Sequence, residues 1–228
     1  HIFTLEASKH NIPRWFSEGV SVFEEWNTGP IKTIRIPLHV LESLRTQEFL
    51  PIAELDSGFV QPEYQNQVIV SYMQAGLICE FVKRNFGFPK LVDMLNAYGD
   101  GVDTPGVVKE VLGLSTGDFD VQFSEFFTTE FGEQIKQLDE WRAVQVQANK
   151  ALSDESWDSA LEAAQQAIDM MPAYIEVDSP YLTKARALVG QENIDAQMVT
   201  LETFWRNGGY EATSLFALAK YLQEQDRF

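Results

Sequence analysis

The sequence predicts a mostly α-helical protein, and three observations carry that expectation. Between residues 64 and 86, Val68, Tyr72, Ala75, Cys79, Val82 and Phe86 recur at intervals of three and four, the period of one helix face, and Gly87 follows as a stop. Only residues 31–37 (Ile-Lys-Thr-Ile-Arg-Ile-Pro) alternate as a strand would, and that run is short enough to be an extended loop instead. Beyond residue 140, Ala148, Ala185 and Ala219 return in similar helical contexts, 37 and 34 residues apart.

Pro13 suits a first helical position, where its missing N–H costs nothing. From there Trp15, Val22 and Trp26 form an apolar stripe, with Phe16 and Phe23 beside it. Asn27-Thr28-Gly29-Pro30 ends that helix. A short helix is expected near 38–47, and then a loop through Pro51, Gly58 and Pro62. After the 64–86 helix, further helices are expected at about 89–98, 104–113, 117–129 and 133–150. The 117–129 helix carries Phe119, Phe123, Phe126 and Phe127. The chain then reads as two domains, 1–132 and a helical tail, 133–228.

The tail holds Trp157-x-x-Ala160, then Ala167 and Pro172, which resembles a tetratricopeptide repeat. In such repeats small alanines let paired helices approach and a proline closes the unit. In a second copy Ala196 echoes Ala160, Gly190 marks the turn and Gly208-Gly209 stand in place of the proline. A third stops after its first helix. The alternative is a plain helical-hairpin extension.

Composition narrows the function. The 228 residues are 45% apolar and 12% aromatic, as in an ordinary globular protein. Seventeen basic against 34 acidic residues give a net charge of −17, which excludes a nucleic-acid footprint and a polybasic membrane-surface role. No apolar run reaches the ~18 residues of a membrane span. The single cysteine, Cys79, allows no internal disulfide and reads as a small core residue. The compartment is open, with a lean toward a bacterial extracytoplasmic setting.

Glu18 stands out because it lies inside the apolar stripe of its helix. A carboxylate there needs a partner cation, either an ion pair such as Arg14 or a metal. Trp15-Phe16-Ser17-Glu18-Gly19-Val20-Ser21-Val22-Phe23-Glu24-Glu25 resembles the third-ligand helix of the gluzincin metallopeptidases, W-[LF]-[NS]-E-G-x-[AS]-x-[YF]-x-E. The resemblance includes the aminopeptidase-like branch and the bacterial peptidase MA-like domains that precede tetratricopeptide repeats. It covers about residues 1–130, as the C-terminal helical half of such a domain, and Phe49-Leu50-Pro51-Ile52-Ala53-Glu54-Leu55 fits the loop after the ligand helix.

The resemblance implies that Glu18 is a zinc ligand. His1-Ile2-Phe3-Thr4-Leu5 is similar to the second His of the family's HExxH motif and the four residues after it, which implies His1 as another ligand. Otherwise His1 is a tag remnant. The first His and the catalytic Glu would lie before residue 1, so the 228 residues are expected to be inactive, with zinc held by the longer parent protein. Ser71-Tyr72-Met73-Gln74-Ala75-Gly76 resembles the helix whose tyrosine steadies the oxyanion. Tyr72 is therefore the candidate catalytic residue, its alternative being a packed core tyrosine, and Tyr64 is a weaker substitute. Glu24 and Glu25 are read as a solvated helix end and His10 and His39 as ordinary.

Two functions stand side by side. One is a fragment of a zinc-dependent peptidase acting on a peptide or protein, with a partner-binding helical tail. The other is a non-enzymatic interaction module whose peptidase-like half has lost its chemistry.

Overall fold

The computed structural model describes residues 2–28, 34–46 and 48–225. Among them every regular element is helical and none is a strand, as expected of an all-α chain. Residues 31–33 of the alternating run lie outside the described residues, and residues 34–37 take no regular structure.

Two compact units emerge. The first takes the described residues up to Trp26 and from Ile36 to Ile135; the second takes Asn27, Thr28, Ile34, Arg35 and the residues from Lys136 onward. Arg35 is held in the second unit by its Nε–H, which donates to the Asn207 carbonyl at 3.1 Å.

In the first unit α1 (Ile2–Ala7) precedes α2 (Arg14–Asn27) and α3 (Leu38–Ser43). The stretch expected as a loop is partly helical: a 3₁₀ turn at Ile52–Glu54 and α4 (Ser57–Val60). Its cause is tertiary. Asp120 of α8 accepts the Ile52 N–H at 2.9 Å, and Asp56, just before α4, accepts the Trp15 N–H of α2 at 2.7 Å, so bonds to distant segments fix both turns. Then come α5 (Gln67–Phe86), α6 (Pro89–Gly99), α7 (Thr104–Val107) running into a π turn (Val108–Leu112), and α8 (Thr116–Lys136). Helix α5 starts at Gln67 rather than 64 because Asn66 sits in the left-handed region at φ 72°.

The core of this unit is aromatic. Trp15 and Phe16 of α2 meet Tyr98 of α6 at 6.5 and 5.4 Å between ring centres, all three almost fully buried. Phe81 of α5 meets Phe119, Phe123 and Phe126 of α8 at 5.4–6.0 Å. Burying such side chains contributes about 1.5–3 kcal/mol each. Helices α2 and α5 cross almost backbone to backbone: a Cβ on Gly19 would lie 2.6 Å from the Ala75 carbonyl oxygen, and one on Gly76 would lie 2.6 Å from Val22 Cγ1. Glycine is required at this crossing.

The second unit carries α9 (Leu138–Ser153), α10 (Trp157–Met170), α11 (Pro180–Gly190), α12 (Ile194–Arg206) and α13 (Ala212–Glu224). Each helix packs on the next, and α11 also reaches α9. Bonds 33–34 residues apart join those two: Gln145 Nε2 donates to the Asp178 carbonyl at 3.1 Å and Thr183 Oγ1 to Asn149 Oδ1 at 2.9 Å. Ala148, Ala160, Ala167 and Ala185 are buried at the helix interfaces, and Gly190 is pressed against the Trp157 ring. Ala219, aligned by spacing with Ala148 and Ala185, is exposed; on α13 the buried residue is Leu218.

Candidate functional site

Glu18 leaves α2 one turn after Arg14 and one residue before Gly19. The crossing at Gly19 therefore fixes its position against α5. Its side chain is 18% exposed, and Arg14 Nε lies 3.6 Å from its Oε1, an i,i+4 pair. A carboxylate this shielded is stable only with a cation beside it, and Arg14 is one such cation.

Arg14 joins Glu18 to α5. The Tyr72 hydroxyl and, more weakly, Glu18 beside its guanidinium raise the Arg14 pKa above its ordinary value. The same guanidinium lies 5.5 Å over the Phe59 ring, and Phe59 stands edge-on to Tyr72 at 5.0 Å. Arg14, Tyr72 and Phe59 thus form a three-way cluster, with Glu18 paired to Arg14 at its edge. It brings the two resemblance-derived residues of the described chain onto one cation.

The supports are local. Asp56, just before α4, accepts the Trp15 N–H and ties α4 to the start of α2. Gly58 leaves no room for a side chain, since a Cβ there would meet Ser71 Oγ at 2.1 Å; this closeness seats Phe59 beside Tyr72. On the other side of α2, the Thr4 hydroxyl of α1 lies 3.5 Å from that of Ser17, the residue before Glu18.

His1 lies outside the described residues. Tyr72 is half-buried on a mixed face rather than sealed into the core. Glu24 and Glu25 are exposed, as are His10 and His39. Tyr64 is half-buried, and burial alone pushes its hydroxyl pKa up. Cys79 is fully buried, which pushes its thiol pKa far up. Among the described residues no three His, Cys, Asp or Glu side chains converge on a point that could hold a metal.

The sequence named Arg14 only as one candidate ion-pair partner of Glu18, beside a distant lysine. Its nearness to Tyr72 and its seat over Phe59 carry no sequence signal, because both depend on how α4 folds back onto α2 and α5.

The family model of the Peptidase MA superfamily matches residues 3–129, and the chain belongs to that superfamily. No curated protein and no solved structure matches the chain significantly. In the described residues no helix is long and apolar enough to cross a membrane.

Proposed function

We propose that this member of the peptidase MA superfamily is the C-terminal helical half of a gluzincin-type zinc peptidase, followed by a tetratricopeptide-like tail that binds a protein partner. The observation that carries the reading is the junction of Glu18 and Tyr72 on Arg14, which puts a shielded carboxylate and a phenol within one guanidinium's reach. Core packing alone would call for neither group.

The donor chemistry fits part of a zinc site. Glu18 brings a carboxylate oxygen, a donor zinc accepts, and His1 would bring an imidazole nitrogen; the third ligand would come from an HExx segment preceding His1. Zinc, when bound, lowers the pKa of a coordinated water toward neutrality and polarises a carbonyl. This chain's own residues divide the remaining work. Glu18 holds one oxygen in place through its helix crossing. Tyr72 donates its hydroxyl proton as a hydrogen bond to the oxygen on which charge develops when water adds to the peptide carbonyl. Arg14 is a positioning residue: it orients the Tyr72 hydroxyl and offsets negative charge beside it. Phe59 screens one side of the guanidinium from water. Exposed Val199, Trp205, Tyr210 and Phe216 support a partner surface on the tail.

The test is hydrolysis of a peptide library by the chain joined to its natural upstream segment. Tyr72→Phe is expected to lower kcat about 10²–10³-fold with KM nearly unchanged, the size seen when one oxyanion donor is removed. Full kcat in Tyr72→Phe rejects the role of Tyr72, and no cleavage by metal-loaded wild type rejects the peptidase reading. The second reading, an interaction module, draws on one observation: Arg14 already supplies a cation to Glu18 without any metal.

A further inference from the structure

A cavity of about 390 Å³ opens in the first unit between the chain around Phe49 and one face of α8. On α8 the lining positions Asp120, Phe123, Ser124 and Phe127 are spaced three, four and seven apart, so they share one face. Phe49 packs against that face, 5.3 Å from Phe123 and 4.7 Å from Phe127 between ring centres, and lines the cavity beside them. The wall is thus aromatic, and its size is that of a small-ligand pocket. The rim is preformed: buried Gln74 of α5 takes the Leu50 N–H at 3.1 Å and donates to the Leu50 carbonyl at 2.6 Å.

Asp120 is the one half-buried ionisable group in this wall. Its Oδ1 accepts the Ile52 N–H, while its second oxygen has no partner among the described residues. Burial pushes its pKa up from the ordinary value, opposed by the Ile52 bond and reinforced by Glu54. The other charged lining residue is Glu48, also acidic and exposed, and none of the described lining residues is basic. A half-buried carboxylate beside phenylalanine rings, with no basic residue among the described lining, leaves a place for a cation.

We propose that this cavity binds the arginine or lysine side chain of a peptide. The aliphatic stem packs on half-buried Phe49 and Phe127, whose rings also attract the cationic head, and that head pairs with Asp120. One carboxylate inside the wall matches one cationic end on an apolar stem. A free diamine would press its second charge against phenylalanine. The site is independent of metal chemistry at Glu18.

Calorimetry on the whole chain tests this with three capped tripeptides, alanine–X–alanine with X arginine, lysine or norleucine, and with 1,6-diaminohexane. The arginine and lysine peptides are expected to bind at least ~10-fold more tightly than the norleucine peptide, because the cation is what pairs with the carboxylate. Asp120→Asn keeps an acceptor for Ile52 and is expected to lose that preference. Ser124→Lys, at an exposed position, places a cation in the cavity and is expected to abolish binding with the far-ultraviolet dichroism unchanged. Equal binding of the norleucine peptide, indifference to both substitutions, tighter binding of the diamine, or no binding of any peptide overturns the proposal.

Discussion

Replacing Gly19 by alanine tests the crossing on which the whole site rests. In an open helix the change would stabilise by about 1 kcal/mol through propensity. Here the new Cβ would lie 2.6 Å from the Ala75 carbonyl oxygen and 2.8 Å from its carbon. Ordinary contact near 3.5 Å requires α2 and α5 to part by roughly 0.7–0.9 Å. The obstacle is backbone rather than the end of a flexible side chain, so the overpacking cost falls at the upper end of about 1–3 kcal/mol. The net expectation for Gly19→Ala is a loss of about 2 kcal/mol, or ~1 M in urea midpoint at a slope near 2 kcal/mol per M. Hydrogen exchange should place the loss in the amides of α2 and α5. Gly117→Ala is the control: a Cβ at Gly117, inside α8, meets nothing within 4 Å, so a gain of about 0.4–1 kcal/mol is expected. A Gly19→Ala midpoint equal to or above wild type would refute the reasoning, for it would mean that the two helices are not in backbone contact.

Other outcomes rest on the same geometry. Trp141→Phe removes the indole N–H that donates to the buried Ala167 carbonyl at 3.0 Å, and leaving that acceptor unmade should cost the second unit about 1–3 kcal/mol in urea unfolding. Glu211 caps α13, accepting from the Ser214 and Thr213 amides, and bonds with Ser214 and Thr213 lower its pKa from 4.5 to about 2. Because the folded value is the lower one, the capping contribution is present above about pH 4.5 and is lost as pH falls toward 2. Amide exchange in residues 212–224 should rise over that window, and Glu211→Gln should flatten the dependence. Cys79, fully buried with its thiol pKa pushed up, should resist an aromatic disulfide reagent at pH 8 in the native chain and react once urea unfolds it.

The features legible in the sequence are the local ones. Period and stop signals placed α2, α5 and α6 within a few residues, because amphipathic spacing and a following Gly or Asn act along one segment. Glu18 was legible as a carboxylate on an apolar stripe that needs a cation, and Arg14 as one candidate partner, which the structure pairs with it at i,i+4. The rest was decided at a distance. The turns at Ile52–Glu54 and Ser57–Val60 are held by Asp120 and Asp56, through bonds to residues that their own windows do not contain. Helix α8 runs through Gly132 to Lys136 instead of ending near 129, since a glycine lowers helix propensity without forbidding the helix. Repeat spacing aligned Ala219 with Ala148, yet α13 buries Leu218, so equal spacing did not carry equal facing. The cluster of Arg14, Tyr72 and Phe59 needed two helices and a short third to meet, and no window of sequence contains all three.

The central claim is that Glu18 is a metal ligand rather than only the ion-pair partner of Arg14. The direct measurement is the zinc content of the chain joined to its natural upstream segment, compared between wild type and Glu18→Gln after exhaustive dialysis. Stoichiometric zinc in the wild type and its loss in Glu18→Gln is the expected result. A zinc-free wild type, or zinc fully retained in Glu18→Gln, contradicts it.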